Sequence, residues 1–262
     1  LGIDCHGAEL FVTLEPCAHH GKTFPCVENI IDAGITKVTI GMQDLDTRVN
    51  GRGIETLRAK GVEVELLEMD EIREFYRHYI VYKTQLRPYI TLKIASSMDG
   101  KIALLNGKSK WITSHKVRYY TNFLRSRFNG IMVGAETVRK DNPSLNCRIV
   151  GLEKFSPRKI VASSTKISEY ITVNGSVTEM LETLHRQGVQ SLLVEGGANV
   201  ITQFIKSNIF DEIIVVQAPI FLGNDAKNYI DDMQLQDIPL HSMQIQERKI
   251  IDGNIVLILK NL

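Results

Sequence analysis

Apolar positions in the first third of the chain follow the order strand, helix, strand, helix, strand. Strands are predicted at residues 9–14, 37–42 and 62–67, and helices at 27–33, 54–60 and 70–85. Gly34 and Gly61 stand where a glycine ends a helix. Arg87-Pro88 then breaks helix propagation and favours an extended start. We therefore predict a layered α/β domain at residues 1–86 and a domain boundary at this dipeptide.

The second part of the chain continues the alternation of apolar strands and helices. Strands are predicted at residues 89–95, 130–134, 159–163, 191–194, 212–218 and 253–259, and helices at 115–127, 177–187 and 199–206. Ser114 is a suitable N-cap for the helix that follows it. The pattern predicts a second α/β domain at residues 87–262.

Composition limits the function classes. The apolar fraction is 44% and the formal net charge is +1, which gives no bulk argument for binding nucleic acid or an anionic membrane. Four cysteines in 262 residues do not suggest a disulfide scaffold and favour a reducing, cytoplasmic setting. No apolar run reaches the length of a membrane span, and the first residues do not resemble a signal peptide.

The segment 13–26, Thr-Leu-Glu-Pro-Cys-Ala-His-His-Gly-Lys-Thr-Phe-Pro-Cys, is the most informative part of the chain. Cys17 and Cys26 each follow a proline, both lie past the predicted strand at 9–14, and thiolates bind zinc well. Zinc deaminases carry H-x-E followed by P-C-x-x-C. Here eight residues rather than two separate the cysteines, and His6 precedes Glu9 by three positions rather than two. Two thiols in a packed loop are the alternative interpretation.

Three further polar segments predict a ligand site in the second domain. Residues 194–199, Val-Glu-Gly-Gly-Ala-Asn, lie between a strand and a helix, where backbone N–H groups bind anions, although an empty Gly-Gly turn is common. Trp111 lies among lysines and hydroxyls and either packs in a core or forms a pocket wall. Residues 134–148 form either a surface loop or a polar loop that carries Asp141 and Arg148 to a phosphate.

In this order, the segments resemble those of the bacterial bifunctional riboflavin biosynthesis deaminase/reductase. The matching pieces are 13–26, 42–44 with 51–53, 92–101, 109–113, 137–148 and 194–197. The resemblance implies an α/β chain in which a truncated cytidine-deaminase-like domain precedes a dihydrofolate-reductase-like domain. It implies zinc-dependent deamination of a diaminopyrimidinone ribosylamino phosphate by the first domain. The second domain would use NADPH to reduce the ribosyl group of the product to ribityl.

The resemblance also assigns site residues. Cys17 and Cys26 match the zinc thiolates. Positions that contact the substrate are Ser109, Arg125, Leu145, Arg148 and Glu195, with Arg125 and Arg148 expected on its phosphate. Positions that contact NADPH are Ala95, Trp111, Thr137, Asp141, Ser163 and the segment from Gly197, Ala198 and Asn199 to Gln203. A homodimer or higher homo-oligomer is expected from the family.

Two departures qualify these expectations. The family's leading helix, first strand and His-Ala-Glu segment have no counterpart before residue 13, so the third zinc ligand and the proton-shuttling glutamate are missing and we expect the first domain to be N-terminally incomplete. The stretch 157–188 is shorter than expected, which suggests that part of the cofactor-side sheet is absent. A reductase with a structural remnant of the deaminase and a non-catalytic nucleotide-binding protein are the alternative functions.

Overall fold

The structure is a computed structural model, and it describes residues 4–21, 24–105, 112–231, 233 and 243–261. The chain divides into two compact units, Leu1–Gln85 and Leu86–Leu262, next to the boundary expected at Arg87-Pro88. Both units mix helices with mostly parallel strands, so the predicted α/β class is confirmed. In the described residues, no helix is both long enough and apolar enough to cross a bilayer.

The first unit is a three-stranded parallel sheet with helices between its strands. Its elements are β1 (Glu9–Leu14), α1 (Cys26–Asp32), β2 (Lys37–Met42), α2 (Arg52–Ala59), β3 (Glu63–Leu66), α3 (Asp70–Phe75) and α4 (Arg77–Thr84). The central strand β2 carries the apolar core with Val38 and Ile40, which pack with Leu57 of α2. The predicted single helix at 70–85 is two helices. Tyr76 separates them, and its hydroxyl lies 2.9 Å from Thr13 Oγ1 of β1.

The second unit is built on an eight-stranded sheet. Its elements are β4 (Tyr89–Ser97), β5 (Lys101–Leu104), α5 (His115–Arg125), β6 (Gly130–Gly134), α6 (Ala135–Asp141), β7 (Arg158–Ala162), β8 (Ile171–Val173), α7 (Val177–Arg186), β9 (Ser191–Val194), α8 (Ala198–Ser207), β10 (Glu212–Ala218), β11 (Ala226–Asn228), β12 (Met243–Ile251) and β13 (Asn254–Asn261). A short 3₁₀ helix covers Glu153–Phe155.

The strand order explains where a ligand site forms. The sheet runs β12-β13-β10-β4-β9-β6-β7-β8. The six strands from β10 to β8 are parallel, and β13 and β12 pair antiparallel at the other end. Apolar residues of α7 and α8, such as Leu184 and Phe204, pack against Leu192 on one face. The carboxyl ends of the parallel strands therefore meet at one edge, where open α/β sheets bind ligands. Residues 157–188, where part of the sheet was expected to be absent, contribute β7 and β8 to that edge.

Candidate functional site

A large cleft opens at the carboxyl edge of the parallel strands in the second unit. It has a volume of about 1950 Å³ and is bordered by the ends of β6, β7 and β8 and the start of α8. The two-stranded ribbon of β5 and β11 contributes residues 102–105 and 226–228 to its wall. Its lining combines polar side chains such as Asp141 and Ser163 with apolar ones such as Val173.

Most of the residues expected to contact the cofactor line this cleft. They are Thr137, Asp141, Ser163, Gly197, Ala198 and Asn199. Ala95 lines a smaller neighbouring pocket instead. Trp111 lies outside the described residues, so the structure gives it no place. Residues from three separate parts of the sequence, 137–141, 163 and 197–199, are therefore brought together around one cavity.

The start of α8 is suited to bind an anion. Gly197 is its N-cap, and no side chain of the described residues caps the first turn. Its first N–H groups are therefore available to a ligand, and the helix dipole favours negative charge there. Packing leaves no room for a side chain at Gly196, because an added Cβ would lie 2.7 Å from Val200 Cβ. The Gly-Gly turn thus combines close backbone packing with an open helix end.

A smaller pocket of about 250 Å³ adjoins the cleft, and Ile102 and Arg148 line both. Its described lining contains four cations and one carboxylate. The cations are Lys93, Arg118, Arg125 and Arg148, and the carboxylate is that of Glu195. Such an excess of positive charge favours an anionic ligand, and guanidinium groups suit phosphate.

Glu195 is the centre of charge pairing in this pocket. The guanidinium of Arg125 donates from Nε to Oε1 and from Nη2 to Oε2, each over 3.0 Å, and Lys93 Nζ lies 3.7 Å from Oε2. The three side chains are only 11–15% exposed. Burial would raise the pKa of Glu195, but the charges of Lys93 and Arg125 outweigh it and the pKa lies below its ordinary value. The carboxylate is therefore ionised and held in one orientation.

The other expected substrate residues are divided by the structure. Arg148 lines the pocket, its backbone N–H donates to Asn122 Oδ1 over 2.8 Å, and its Nη1 lies 3.3 Å from Ser144 Oγ. Leu145 does not line the pocket, because its side chain is buried in an apolar cluster. Ser109 lies outside the described residues. The guanidinium of Arg125 pairs with Glu195, whereas a residue that binds phosphate was expected to have its guanidinium open to the ligand.

The sequence analysis missed several residues of this pocket. Lys93 is the only charged residue in the otherwise buried strand β4, and that isolation was an available signal. On α5, Asn122 follows Arg118 by four residues and precedes Arg125 by three. The three side chains therefore share the helix face that lines the pocket. The apolar pattern of α5 predicts which face of the helix is polar, but it does not predict which residues of other elements that face contacts.

The first unit brings the two predicted zinc thiols together. The backbone N–H of Cys26 donates to Cys17 Sγ over 3.4 Å, and burial, followed by the contact with Cys17, raises the pKa of the Cys26 thiol. Among the described residues, no group of three histidines, cysteines or carboxylates could hold a metal ion. The described residues therefore supply two thiol ligands, which do not fit a complete zinc centre, and zinc binding by this unit stays a prediction.

Glu15, directly before Pro16-Cys17, was also missed. Its buried carboxylate accepts hydrogen bonds from the backbone N–H groups of Asp44, Gly51, Gly53 and Ile54, over 2.9–3.2 Å. These bonds tie the end of β1 to the start of α2. Glu15 thus fixes the turn that presents Cys17, which is a structural task.

Comparisons with known proteins agree with this geometry. Residues 88–256 match the family model described as the RibD C-terminal domain. The riboflavin biosynthesis protein RibD of Aquifex aeolicus is 36% identical over 283 residues, covering 95% of this chain and 79% of that protein.

Two solved structures are similar over nearly the whole chain. A diaminohydroxyphosphoribosylaminopyrimidine deaminase/5-amino-6-(5-phosphoribosylamino)uracil reductase from Thermotoga maritima has a TM-score of 0.85 and 31% identity, covering 100% of this chain and 81% of that one. RibD of Acinetobacter baumannii has a TM-score of 0.87 and 27% identity, covering 98% and 82%.

Proposed function

The chain belongs to the RibD family of riboflavin biosynthesis proteins, and from that premise we propose that its second unit is an NADPH-dependent reductase. Its substrate would be 5-amino-6-(5-phosphoribosylamino)uracil, whose ribosyl group becomes ribityl. The observation that carries the proposal is the pairing of Lys93 and Arg125 with Glu195, in a cationic pocket that adjoins the large cleft.

The large cleft fits NADPH by the chemistry of its walls. The open N-terminus of α8 at Gly197, Ala198 and Asn199 would hold the diphosphate, with Ser163 and Thr137 along the same cleft. When bound, NADPH supplies the hydride for the reduction. The ribbon residue Ile102, which borders both cavities, would lie beside the point where cofactor and substrate meet and exclude water from the reacting carbon.

The smaller pocket supports the roles of binding and proton transfer. Arg148 would bind the phosphate of the substrate, because its guanidinium lies in a pocket with surplus positive charge. Glu195 would accept hydrogen bonds from the sugar or the pyrimidine. The ammonium of Lys93, oriented by Glu195, would donate a proton to the nitrogen or oxygen on C1 as that carbon is reduced. Arg125 would act by holding Glu195 in place.

The direct test is oxidation of NADPH by the purified protein in the presence of the ribosylaminouracil phosphate, with the ribityl product identified by mass spectrometry. We expect turnover with the wild type and strong loss in Lys93→Ala. Cofactor binding is followed in the same samples by NADPH fluorescence. Binding without turnover in the wild type would contradict a reductase and favour the non-catalytic nucleotide-binding alternative.

Deamination by the first unit is the second candidate function, and the adjoining thiols of Cys17 and Cys26 favour it. Zinc-dependent deamination needs three protein ligands and a carboxylate that moves the proton. The described residues offer two ligands, so no hydrolytic step is assigned to them. Zinc content per chain tests the candidate: it should fall in Cys17→Ser. Equal zinc in the wild type and this variant would remove Cys17 from any metal site.

A further inference from the structure

The turn between β4 and β5 carries a carboxylate that none of the functions above uses. Asp99 accepts a hydrogen bond from Ser97 Oγ over 2.5 Å and bonds from the backbone N–H groups of Leu222 and Gly223, the latter over 2.7 Å. The two segments are more than a hundred residues apart in sequence. Asp99 therefore joins the start of β5 to the loop that precedes β11.

The ribbon that this carboxylate holds is closed by backbone hydrogen bonds at both of its ends. β5 and β11 form a two-stranded antiparallel sheet, separate from the eight-stranded sheet, with Leu104 opposite Ala226 and Lys101 opposite Asn228. At its base, Tyr229 N–H donates to Gly100 O over 3.1 Å. At its far end, Leu105 N–H donates to Asp225 O over 3.0 Å. Both bonds join the two segments of the ribbon to each other, and the turn at residues 97–101 connects β5 to β4 of the large sheet.

The same ribbon forms a wall of both cavities. Residues 102–105 and 226–228 border the large cleft, and Ile102 also borders the smaller pocket beside Lys93 and Glu195. A shift of the ribbon would therefore move the one described side chain of β5 that faces both cavities. Small displacements of this kind are costly when two reactants must meet.

We propose that Asp99 is a positioning residue of the reductase site, which acts by fixing the β5–β11 ribbon and, through it, Ile102. The proposal relies on the proposed function only for its kinetic readout, because the attachment of the ribbon is a property of the fold. Two observations agree with it. Ser97 is fully buried, and its Oγ also accepts from Lys101 N–H over 3.0 Å, so the turn is tied from both sides. The bond from Ser97, with the backbone bonds from Gly223 and Leu222, holds the pKa of Asp99 at about 2.

Three variants test this role. Asp99→Ala removes every acceptor, Asp99→Asn keeps an oxygen acceptor for the backbone N–H groups, and Glu153→Gln is the matched control. Glu153 likewise accepts from a turn glycine, since its Oε2 takes Gly151 N–H over 2.8 Å, but it lines neither cavity. For Asp99→Ala we expect kcat/KM to fall on the order of 10²-fold, mainly through kcat. Asp99→Asn should recover most of this loss, and the control should match the wild type.

Hydrogen exchange of the full-length protein provides the readout that a general structural role would not move. In Asp99→Ala, peptides covering residues 98–105 and 220–229 should exchange faster, while peptides of α7 and β9 keep their wild-type protection. Wild-type exchange in the ribbon, or faster exchange throughout the second unit, would overturn the proposal. The proposal would also be overturned if kcat/KM fell as far in Asp99→Asn as in Asp99→Ala, because that result would mean that the charge itself is required.

The two proposals fail in different ways. If the wild type does not oxidise NADPH with the substrate, the reductase assignment fails, and the exchange data still decide whether Asp99 holds the ribbon. If the wild type turns over and Asp99→Ala has wild-type kinetics, the reductase assignment stands and the positioning role is lost.

Discussion

Glu195 is a buried carboxylate between two cations, and this arrangement determines the effect of replacing it. Glu195→Gln leaves Arg125 and Lys93 buried without their counterion, which costs on the order of 3–5 kcal/mol of stability. The pKa of Glu195 is lower in the folded protein than its ordinary value of 4.5. Ionisation of Glu195 therefore stabilises the fold at pH values above 4.5, and this contribution is lost as the pH falls through the lowered pKa.

Urea unfolding of the wild type and Glu195→Gln between neutral and acidic pH measures this effect. The difference in unfolding free energy should be largest near neutral pH and should shrink as the pH falls below 4.5. Glu179→Gln is a suitable comparison, since the pKa of this exposed carboxyl is also lowered, by hydrogen bonds from Ser176. A gap between wild type and Glu195→Gln that does not change with pH would contradict an ionised, paired Glu195.

Arg148 allows a test of phosphate binding that does not disturb the Glu195 cluster. Arg148→Ala should raise KM for the phosphorylated substrate, with a loss of on the order of 1.5–3 kcal/mol for a charge-assisted contact and little change in kcat. Arg139→Ala is the matched control, because Arg139 lines the large cleft but not the smaller pocket. Steady-state kinetics with varied substrate gives both constants, and an unchanged KM would remove Arg148 from the phosphate site.

At this scale the sequence predicts residue types better than their partners. Arg125, Arg148 and Glu195 were expected near the substrate, and the structure places all three around one pocket. Their pairing was not predictable, because Arg125 and Glu195 are 70 positions apart and meet only when α5 packs beside the end of β9. Lys93 was missed for the same reason.

At the scale of elements, α7 shows how local sequence determines a helix that supports the cleft. Ser176 is its N-cap, and its hydroxyl accepts from Glu179 N–H while Glu179 accepts from Ser176 N–H, a capping box. Ser176→Ala should destabilise the second unit by about 0.5–2 kcal/mol. Thermal unfolding measures the loss, and Ser207→Ala, in the last turn of α8, is the comparison without an N-cap role. Equal stability of wild type and Ser176→Ala would contradict the cap.

The elements that sequence analysis missed share weak patterns. α6 has one buried residue, Val138, and therefore shows no helical period. β12, Met-Gln-Ile-Gln-Glu-Arg-Lys-Ile-Ile, is a mostly polar edge strand whose alternation is broken by a bulge between Ile245 and Glu247. β5, β8 and β11 have only three or four residues, and pairing with distant strands decides their conformation. Elements with a continuous apolar face, such as β2, β9 and α8, were predicted correctly.

At the scale of the whole molecule, the feature that bears on assembly is β12, which among the described residues pairs with β13 alone. The bulge in β12 places Ile245 opposite Leu259 and Ile250 opposite Ile255, so all four side chains share one face of the sheet. Ile245 and Ile250 are 60% and 75% exposed. Exposed apolar side chains that share one face are candidates for burial in a protein–protein contact.

We therefore expect a homo-oligomer in which two copies bury this face, in agreement with the assembly expected from the family resemblance. Ile250→Lys would place a charge in the contact, so the variant should elute as a smaller species in size-exclusion chromatography with light scattering, whereas Val150→Lys, at a 93% exposed loop position, should not. Circular dichroism verifies that Ile250→Lys remains folded. The interface assignment fails if the variant is folded and has the mass of the wild type, because an unpaired lysine inside a packed apolar contact would cost too much for the assembly to persist.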